Sequence, residues 1–335
     1  MLTHSSRSGR ALGRTRSLLA IALFASVSML VPLGACAQGF PAKPIRLIVG
    51  YTPGGSNDIV ARIIAPRLGE ALNTTVVVEN RPGASGALGA DHVAKSAPDG
   101  YTLLAASASP VVITPHTLAK IPFNTLTDFS PINTVGLTPE AIAVGPRLKV
   151  TTLKQLLDVA KTQNVSLSSS GNGGLPHLTI ELLIQASKGK IVHVPYKGAA
   201  PAMTDTIAGH VDGIVMDLPP LYPLIQEGKL TALAVTSEKR FDLLANVPTA
   251  HEELPGFTVT NWMGVFAPAK TPKAIVDQIN AALIKVVARE DVKAQLMKAA
   301  MVPYVMASPD AFSKFVGEEF NRWGKLVKEK NITAE

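Results

Sequence analysis

Ile45–Leu72 reads IRLIVGYTPGGSNDIVARIIAPRLGEAL: a strand, a Pro-Gly-Gly turn and a helix in direct succession. Ile45–Val49 is a short apolar run rich in β-branched residues, the pattern of a buried strand. Tyr51, Thr52, Pro53, Gly54, Gly55, Ser56 and Asn57 form a segment whose proline and glycines break regular structure and expose backbone N–H groups. From Asp58 onward Ile59, Ile63, Leu68 and Leu72 recur at helical spacing, with Arg62 and Arg67 between them. Asp58 is placed to cap this helix. A glycine turn leading into a helix N-terminus is an anion seat, because unpaired N–H groups point outward and the helix dipole favours negative charge.

A second stretch repeats that logic. In SLSSSGNGGLPHLTIELLIQA (Ser166–Ala186), a strand over Val165–Ser168 runs into Ser169, Ser170, Gly171, Asn172, Gly173 and Gly174, and then Pro176, His177 and Leu178 open a helix. Two such seats facing each other across a cleft would hold a small carboxylate. Charge-assisted bonds from backbone N–H groups are worth about 1.5–3 kcal/mol each. Four or five of them, less ordering costs, suffice for micromolar affinity, near about −8 kcal/mol. The competing reading is that each glycine turn merely reverses the chain. A third segment, Val192–Leu221, puts Tyr196 and Asp217 after strands, where ligands of open α/β sheets bind. The alternatives there are a solvated loop charge at Lys197 and a helix N-cap at Asp217 ahead of Pro219.

Strand patterns (45–50, 75–79, 101–106, 141–145, 165–168, 191–194, 213–217, 231–236, 262–267) alternate with helix patterns (58–72, 86–96, 152–163, 176–187, 200–208, 219–227, 273–289, 291–299, 309–329). The alternation predicts an α/β architecture with mostly parallel sheets. Thr151-Thr152, Thr271-Pro272 and Ser308-Pro309 are helix-start signals. No Pro/Ser linker separates two beads, so two domains would share the chain discontinuously.

The N-terminus carries Arg7, Arg10, Arg14 and Arg16, an apolar run from Leu18 to Leu33, and Ala35-Cys36-Ala37. Residues 1–37 are expected to be a secretory signal peptide with an A-x-A site. A lipoprotein signal at Cys36 and a retained anchor are the rivals; for the latter the apolar run falls short of the ~20 residues that span a bilayer. Removing 37 of 335 residues leaves 298, and the loss of four arginines lowers the net charge from +7 to +3. The mature chain has no dense Lys/Arg run and few aromatics, which argues against nucleic acid. It has no cysteine, and its apolar content suffices for a core without disulfides. The sequence contains no G-x-S-x-G, H-E-x-x-H, Walker or C-x-x-C motif, and its histidines lack metal-ligand spacing. No cofactor or metal is expected. Gly83–Gly89 is spaced G-x-x-G-x-x-G rather than as a dinucleotide loop, and reads as a tight turn with close helix packing. An exported hydrolase or isomerase using Ser170, His177 and Asp217 is the enzymatic alternative.

Four strings together are similar to one family: FPAKPIRLIVGYTPGGSNDIVAR, VENRPGASGALGADHVAKSAPDGYTLL, SSSGNGGLPHLTIELL and VPYKGAAPAMTDTIAGHVD. They resemble the extracytoplasmic receptors of the tripartite tricarboxylate transporter family, the Bug-type receptors, from Phe40 to near Trp323. The resemblance implies a type II-like periplasmic binding protein, two α/β lobes closing on a ligand as a Venus flytrap. Lobe one would be 38–138 plus 258–335, and lobe two 139–257. It implies carboxylate ligands: di- or tricarboxylates, acidic amino acids or aromatic acids. Thr52–Asp58 and Ser169–His177 would grip the ligand; Ser107 and Ser109 match the family's hydroxyl-bearing turn, and Asp217 matches an acidic position. The implied partners are the membrane subunits of a transporter, or a sensor protein, and the chain would act as a monomer. Tyr51-Thr52 ahead of Pro-Gly-Gly, the Ala105–Pro110 segment and Leu175-Pro176 depart from the family pattern where ligand choice is made.

Overall fold

The computed structural model describes residues 1–2 and 39–334. The expected signal segment, with its A-x-A site and Cys36, lies outside the described residues apart from its first two. No described helix is long and apolar enough to cross a membrane.

Phe40–Glu335 form one unit built on a sheet that is joined in the middle. β1 (Ile45–Val49) leads into α1 (Ser56–Leu72), β2 (Val76–Asn80), α2 (Ala87–Ala94) and β3 (Thr102–Ser107). A long β4 (Phe129–Val144) follows, then α3 (Leu153–Thr162), β5 (Val165–Ser169), α4 (Leu175–Ser187), β6 (Ile191–Pro195) and α5 (Ala199–Ala208). β7 (Gly213–Asp217), α6 (Leu218–Gln226), β8 (Thr231–Val235) and β9 (Thr260–Pro268) come next. The chain closes with α7 (Lys273–Ala288), α8 (Glu290–Lys298), β10 (Val302–Pro303) and α9 (Pro309–Glu329).

The strand order is β2-β1-β3-β9-β4-β7-β5-β6, with β8 and β10 also on β4. Mostly parallel pairing holds inside two triplets, β2-β1-β3 and β7-β5-β6, and fails between them. β9 is antiparallel to β3 and β4, and β4 is antiparallel to β7 and β8. Parallel neighbours arise from βαβ crossovers; β4 and β9 instead run between the triplets, one leaving the first and one returning to it, so they meet head to tail.

The inner strand β1 carries buried apolar side chains on both faces because helices cover both, whereas β5 alternates: Val165 and Leu167 are apolar, and Ser166 and Ser168 bond Asp212 (2.7 Å) and Thr206 (2.9 Å). Ile45, Leu47 and Val49 pack with Ile64 and Leu68 of α1 and Leu283 of α7, while Ile48 faces the other way, among Trp262, Phe266 and Phe312. In the second triplet Leu167 and Val215 pack with Leu156 and Leu183, and Ile214 and Met216 with Leu221. Each such side chain, fully buried, contributes about 1.5–3 kcal/mol. The buried stripe of α1 is Val60, Ile64, Leu68 and Leu72; Ile59 and Ile63 are only half-buried, so the helix is rotated slightly from its expected face.

Start signals act as predicted at two helices. The Thr152 hydroxyl accepts from Gln155 N (3.2 Å) and the Ser308 hydroxyl from Ala311 N (3.1 Å). At α7 the N-cap is Pro272, and the Thr271 hydroxyl turns back to donate to Pro268 O (2.7 Å). The Gly83–Gly89 turn is a packing device: a Cβ on Gly89 would lie 2.6 Å from Gly50 Cα, so α2 sits directly against the end of β1.

Candidate ligand-binding site

The turn after β1 is held open by its own helix. Gly54 has φ +85°, a conformation glycine adopts freely. Its N–H donates to Asp58 Oδ2 (3.0 Å), which also accepts from Arg62 Nε (2.9 Å), while Asp58 Oδ1 accepts from Asn80 Nδ2 (2.9 Å). Asp58 therefore ties the loop rather than capping α1, a correction to its expected role. Burial raises its pKa, but the bonds from Arg62, Gly54 and Asn80 outweigh that and hold it below the usual value. The N-cap of α1 is Gly55, with no side chain capping it. The first backbone N–H groups of this 17-residue helix have no intrahelical acceptor, and Gly55, Ser56 and Asn57 at this helix start line a cavity.

The turn after β5 is sealed. Leu175 N donates to Ser109 Oγ (2.9 Å), Gly173 N to His177 Nδ1 (3.0 Å), and the Thr117 hydroxyl to Gly173 O (2.7 Å). The Ser85 hydroxyl donates to Asn172 O. Pro176, at the second position of α4, has no N–H to offer. The Ser169 hydroxyl is taken by Gly171 O (2.9 Å) and by His193 Nε2 (2.6 Å). Among the described residues the Ser170 side chain has no hydrogen-bond partner, and it lines the inner cavity together with Gly55, Ser56 and Asn57.

The two turns and the end of β7 enclose an inner cavity of about 20 Å³, lined by Tyr51, Gly55, Ser56, Asn57, Ser107, Ser109, Ser170 and Asp217, with Pro176, Ala199 and Met216. That is room for about one water. Next to it an outer cleft of about 570 Å³ shares Tyr51 and Ser170 and adds Thr52, Gly171, Asn172 and Tyr196. The outer cleft has the size of small-molecule sites, roughly 300–1,000 Å³. Pro53, Gly54, Asp58, Ser169, Gly173 and His177 line neither space; all but Pro53 hydrogen-bond within or beneath the turns. A larger groove, about 750 Å³, lies elsewhere, between Leu182, Phe257 and Trp323, and is edged by exposed side chains such as Arg322, Lys325 and Glu329 rather than by turn amides.

Tyr51 closes the inner space from above, its hydroxyl donating to Ser85 O (2.7 Å). Burial pushes its phenol far above the ordinary value, so it stays a neutral donor. Asn57 Nδ2 donates to Ser107 Oγ (3.3 Å), and Asn57 Oδ1 is buried without a partner. The Tyr196 hydroxyl donates to Asp205 Oδ2 (2.7 Å) at the rim of the outer cleft. Asp217 is positionally the N-cap of α6, but its carboxylate does not cap; Oδ1 accepts from Asn261 Nδ2 (2.8 Å). Asn261 Oδ1 in turn accepts from Ala108 N (3.2 Å), so this one amide links β9, β7 and the turn after β3.

Ser170, His177 and Asp217 do not form a relay. The Nδ1 of His177 is engaged by Gly173, its ring stacks on His193 (centroids 4.1 Å apart), and Asp217 is bonded to Asn261. Burial lowers the pKa of His177 to about 4; burial and the neighbouring His177 lower that of His193 to about 3. Asn261 and Glu140, which lies beside Asp217, were not among the candidates. Each sits one residue ahead of an apolar strand pattern, 141–145 and 262–267, where a polar residue reads as a strand boundary.

A family model for "Tripartite tricarboxylate transporter family receptor" matches residues 60–332. Protein BugT of Bordetella pertussis is 35% identical over 320 residues, covering 94% of this chain and 97% of BugT. An R. palustris protein solved with adipate superposes with TM-score 0.83 at 31% identity, covering 88% of this chain and 99% of that one. MatC from Rhodopseudomonas palustris, solved with bound malate, gives 0.80 at 28% identity, covering 86% and 100%. The periplasmic binding protein BugD gives 0.83 at 31% identity, covering 88% and 100%. The fold is that of these periplasmic binding proteins, and the chain belongs to the tripartite tricarboxylate transporter receptor family, as a periplasmic solute-binding receptor.

Proposed function

We propose that this receptor captures a small carboxylate and presents it to the membrane subunits of a tripartite tricarboxylate transporter. The observation that carries this reading is the uncapped N-terminus of α1, whose Ser56 and Asn57 line a cavity that Ser170 also lines. Amides at a helix start are worth most to an anion when water is excluded. The relatives solved with adipate and malate support the ligand class.

In this reading residues 38–138 plus 258–335 are one lobe and 139–257 the other, with β4 and β9 as the crossing strands. The inner cavity is the floor on which a carboxylate lands as the lobes part, and the outer cleft takes the rest of the molecule. Export by a cleaved signal over 1–37 delivers the chain to its place of work. A panel of mono-, di- and tricarboxylates in a thermal-shift assay tests it. A true ligand at a hundredfold excess over its dissociation constant adds about 2.7 kcal/mol of stability. Stabilisation by neutral sugars alone overturns the reading. A ligand-dependent pull-down that retrieves a sensor protein instead of transporter subunits overturns the choice of partner.

A further inference from the structure

Glu140 is fully buried at the point where β4 passes from one triplet to the other. Pro139 is the last residue paired with β9, and Glu140 the first paired with β7. Its register partner is Asp217, so the two side chains leave the same face of adjacent antiparallel strands, roughly 5 Å apart at Cβ. Among the described residues neither carboxyl has a cationic partner, and two like charges this close in a buried site do not both ionise.

Hydrogen-bond accounting places the single shared proton. The Thr179 hydroxyl reaches both Leu175 O (2.9 Å) and Glu140 Oε2, yet it owns one hydrogen. If that hydrogen serves the backbone carbonyl, as is usual four residues along a helix, the carboxyl of Glu140 must supply the other. Glu140 Oε1 has no partner at all, which suits a neutral acid far better than a carboxylate. Burial raises the pKa of Asp217 too, but unlike Glu140 it has two donors working against burial: the Asn261 amide donates to it at 2.8 Å and the Ser56 hydroxyl lies within reach, both favouring the charged form.

We propose that Glu140 is a positioning residue for the ligand: it keeps the proton of the Glu140–Asp217 pair, leaves the charge on Asp217, and so makes the site prefer acids bearing a hydroxyl or ammonium next to the carboxylate. The proposal rests on the carboxylate reading above and narrows it. Ser56 sets the scale, because its backbone begins α1 while its hydroxyl reaches Asp217. The amides and the acidic acceptor are thus one short side chain apart, and a ligand meeting both needs its donor on the carbon beside the carboxylate. An unsubstituted acid would set its carboxylate against Asp217 with nothing between them.

The other titratable groups on the surrounding elements are accounted for. Tyr51 stays neutral, Asp58 is bound to Arg62, and His177 and Glu181 on α4 face each other at 3.5 Å. Burial, then the charge of Asp217, raises the Glu140 pKa well above the ordinary value.

Calorimetry with matched pairs tests this: malate against succinate, and lactate against propionate. The wild-type protein is expected to bind each substituted acid at least about tenfold more tightly. Asp217→Asn should reduce that ratio to about twofold or less. As pH is raised above neutrality wild-type affinity for malate should fall as Glu140 ionises, and Glu140→Gln should flatten that limb. Equal binding of the paired acids by the wild-type protein, an unchanged ratio in Asp217→Asn, or an alkaline limb that survives Glu140→Gln overturns the proposal while leaving the carboxylate reading intact. Failure of every carboxylate to bind overturns both. The wild-type ratio alone decides the matter if Asp217→Asn does not fold.

Discussion

The turn after β1 and the turn after β5 look alike in sequence, yet the protein uses them differently. Both are glycine-rich, both follow a buried parallel strand, and both lead into a helix with no side-chain bond from its N-cap. At the first, the internal partners serve the loop before the helix: Asp58 engages Gly54 and leaves the amides of α1 free. At the second, the partners serve the helix start itself, through Ser109, and the loop, through His177, Thr117 and Ser85. Polar backbone that cannot reach water must find a partner inside the protein or in a ligand. In the proposed reading the first turn is the anion receiver and the second a fixed wall that contributes Ser170. A glycine turn signals that amides are exposed by the chain's path; whether they remain available depends on what folds over them.

The same negative charge placed in each turn in separate variants gives the sharpest way to break this contrast. Asn57→Asp sets a carboxylate beside the open amides, and ligand affinity should fall about a hundredfold or more, since a like charge at ~4 Å costs about 4 kcal/mol near a protein surface. Asn172→Asp in the second turn should change affinity by about fivefold or less. Titration calorimetry on both variants settles it; equal losses would mean that the two turns share the anion.

The parts of this arrangement legible in the sequence were the local ones. Strand, glycine turn and helix follow each other within a few residues, so periodicity and turn chemistry expose them at both sites. β4 escaped because Pro131, Asn133, Gly136 and Pro139 interrupt its apolar pattern, and its pairing with β9 slips twice, between Pro131 and Asn133 and between Thr134 and Gly136. Only 141–145, where Ala, Ile and Val return, read as a strand. The open-or-sealed distinction was not legible either. Ser109 is 66 residues from Leu175 and Ser85 is 87 from Asn172, so no local pattern announces the seal. Glu140 and Asn261 were hidden for the same reason: each meets Asp217 through sheet pairing set by distant chain.

The wall of the second turn can be probed by acid. His177 and His193 are neutral in the folded protein, with pKa values lowered to about 4 and about 3. In the unfolded chain they titrate near about 6.5. As pH falls below that value the unfolded state takes up protons the folded state refuses, so stability drops until the folded values are reached. His193→Gln should make the fall between about pH 6.5 and pH 4 shallower by about 2 kcal/mol, read from urea melts across pH. An unchanged slope would mean that the stacked pair is not buried neutral.

The smallest expected effect belongs to the first turn and falls in a more acidic window. Asp58 has its pKa lowered by Arg62, Gly54 and Asn80 against the opposing effect of burial. A depressed carboxyl adds stability that is fully present above its unfolded pKa, near about 3.9, and is lost as pH falls through the folded value. Asp58→Asn retains an acceptor for Gly54 N–H but gives up the charge, and should cost about 1 kcal/mol at neutral pH. It should also flatten the stability profile below about pH 4, a region separate from the histidine window. If Asp58 only holds the loop in place, ligand affinity at neutral pH should weaken a few-fold at most, far less than in Asn57→Asp, which acts at the amides themselves. A loss in Asp58→Asn as large as that in Asn57→Asp would place the Asp58 charge inside the binding site. The division between a turn that receives and a residue that braces it would then have to be redrawn.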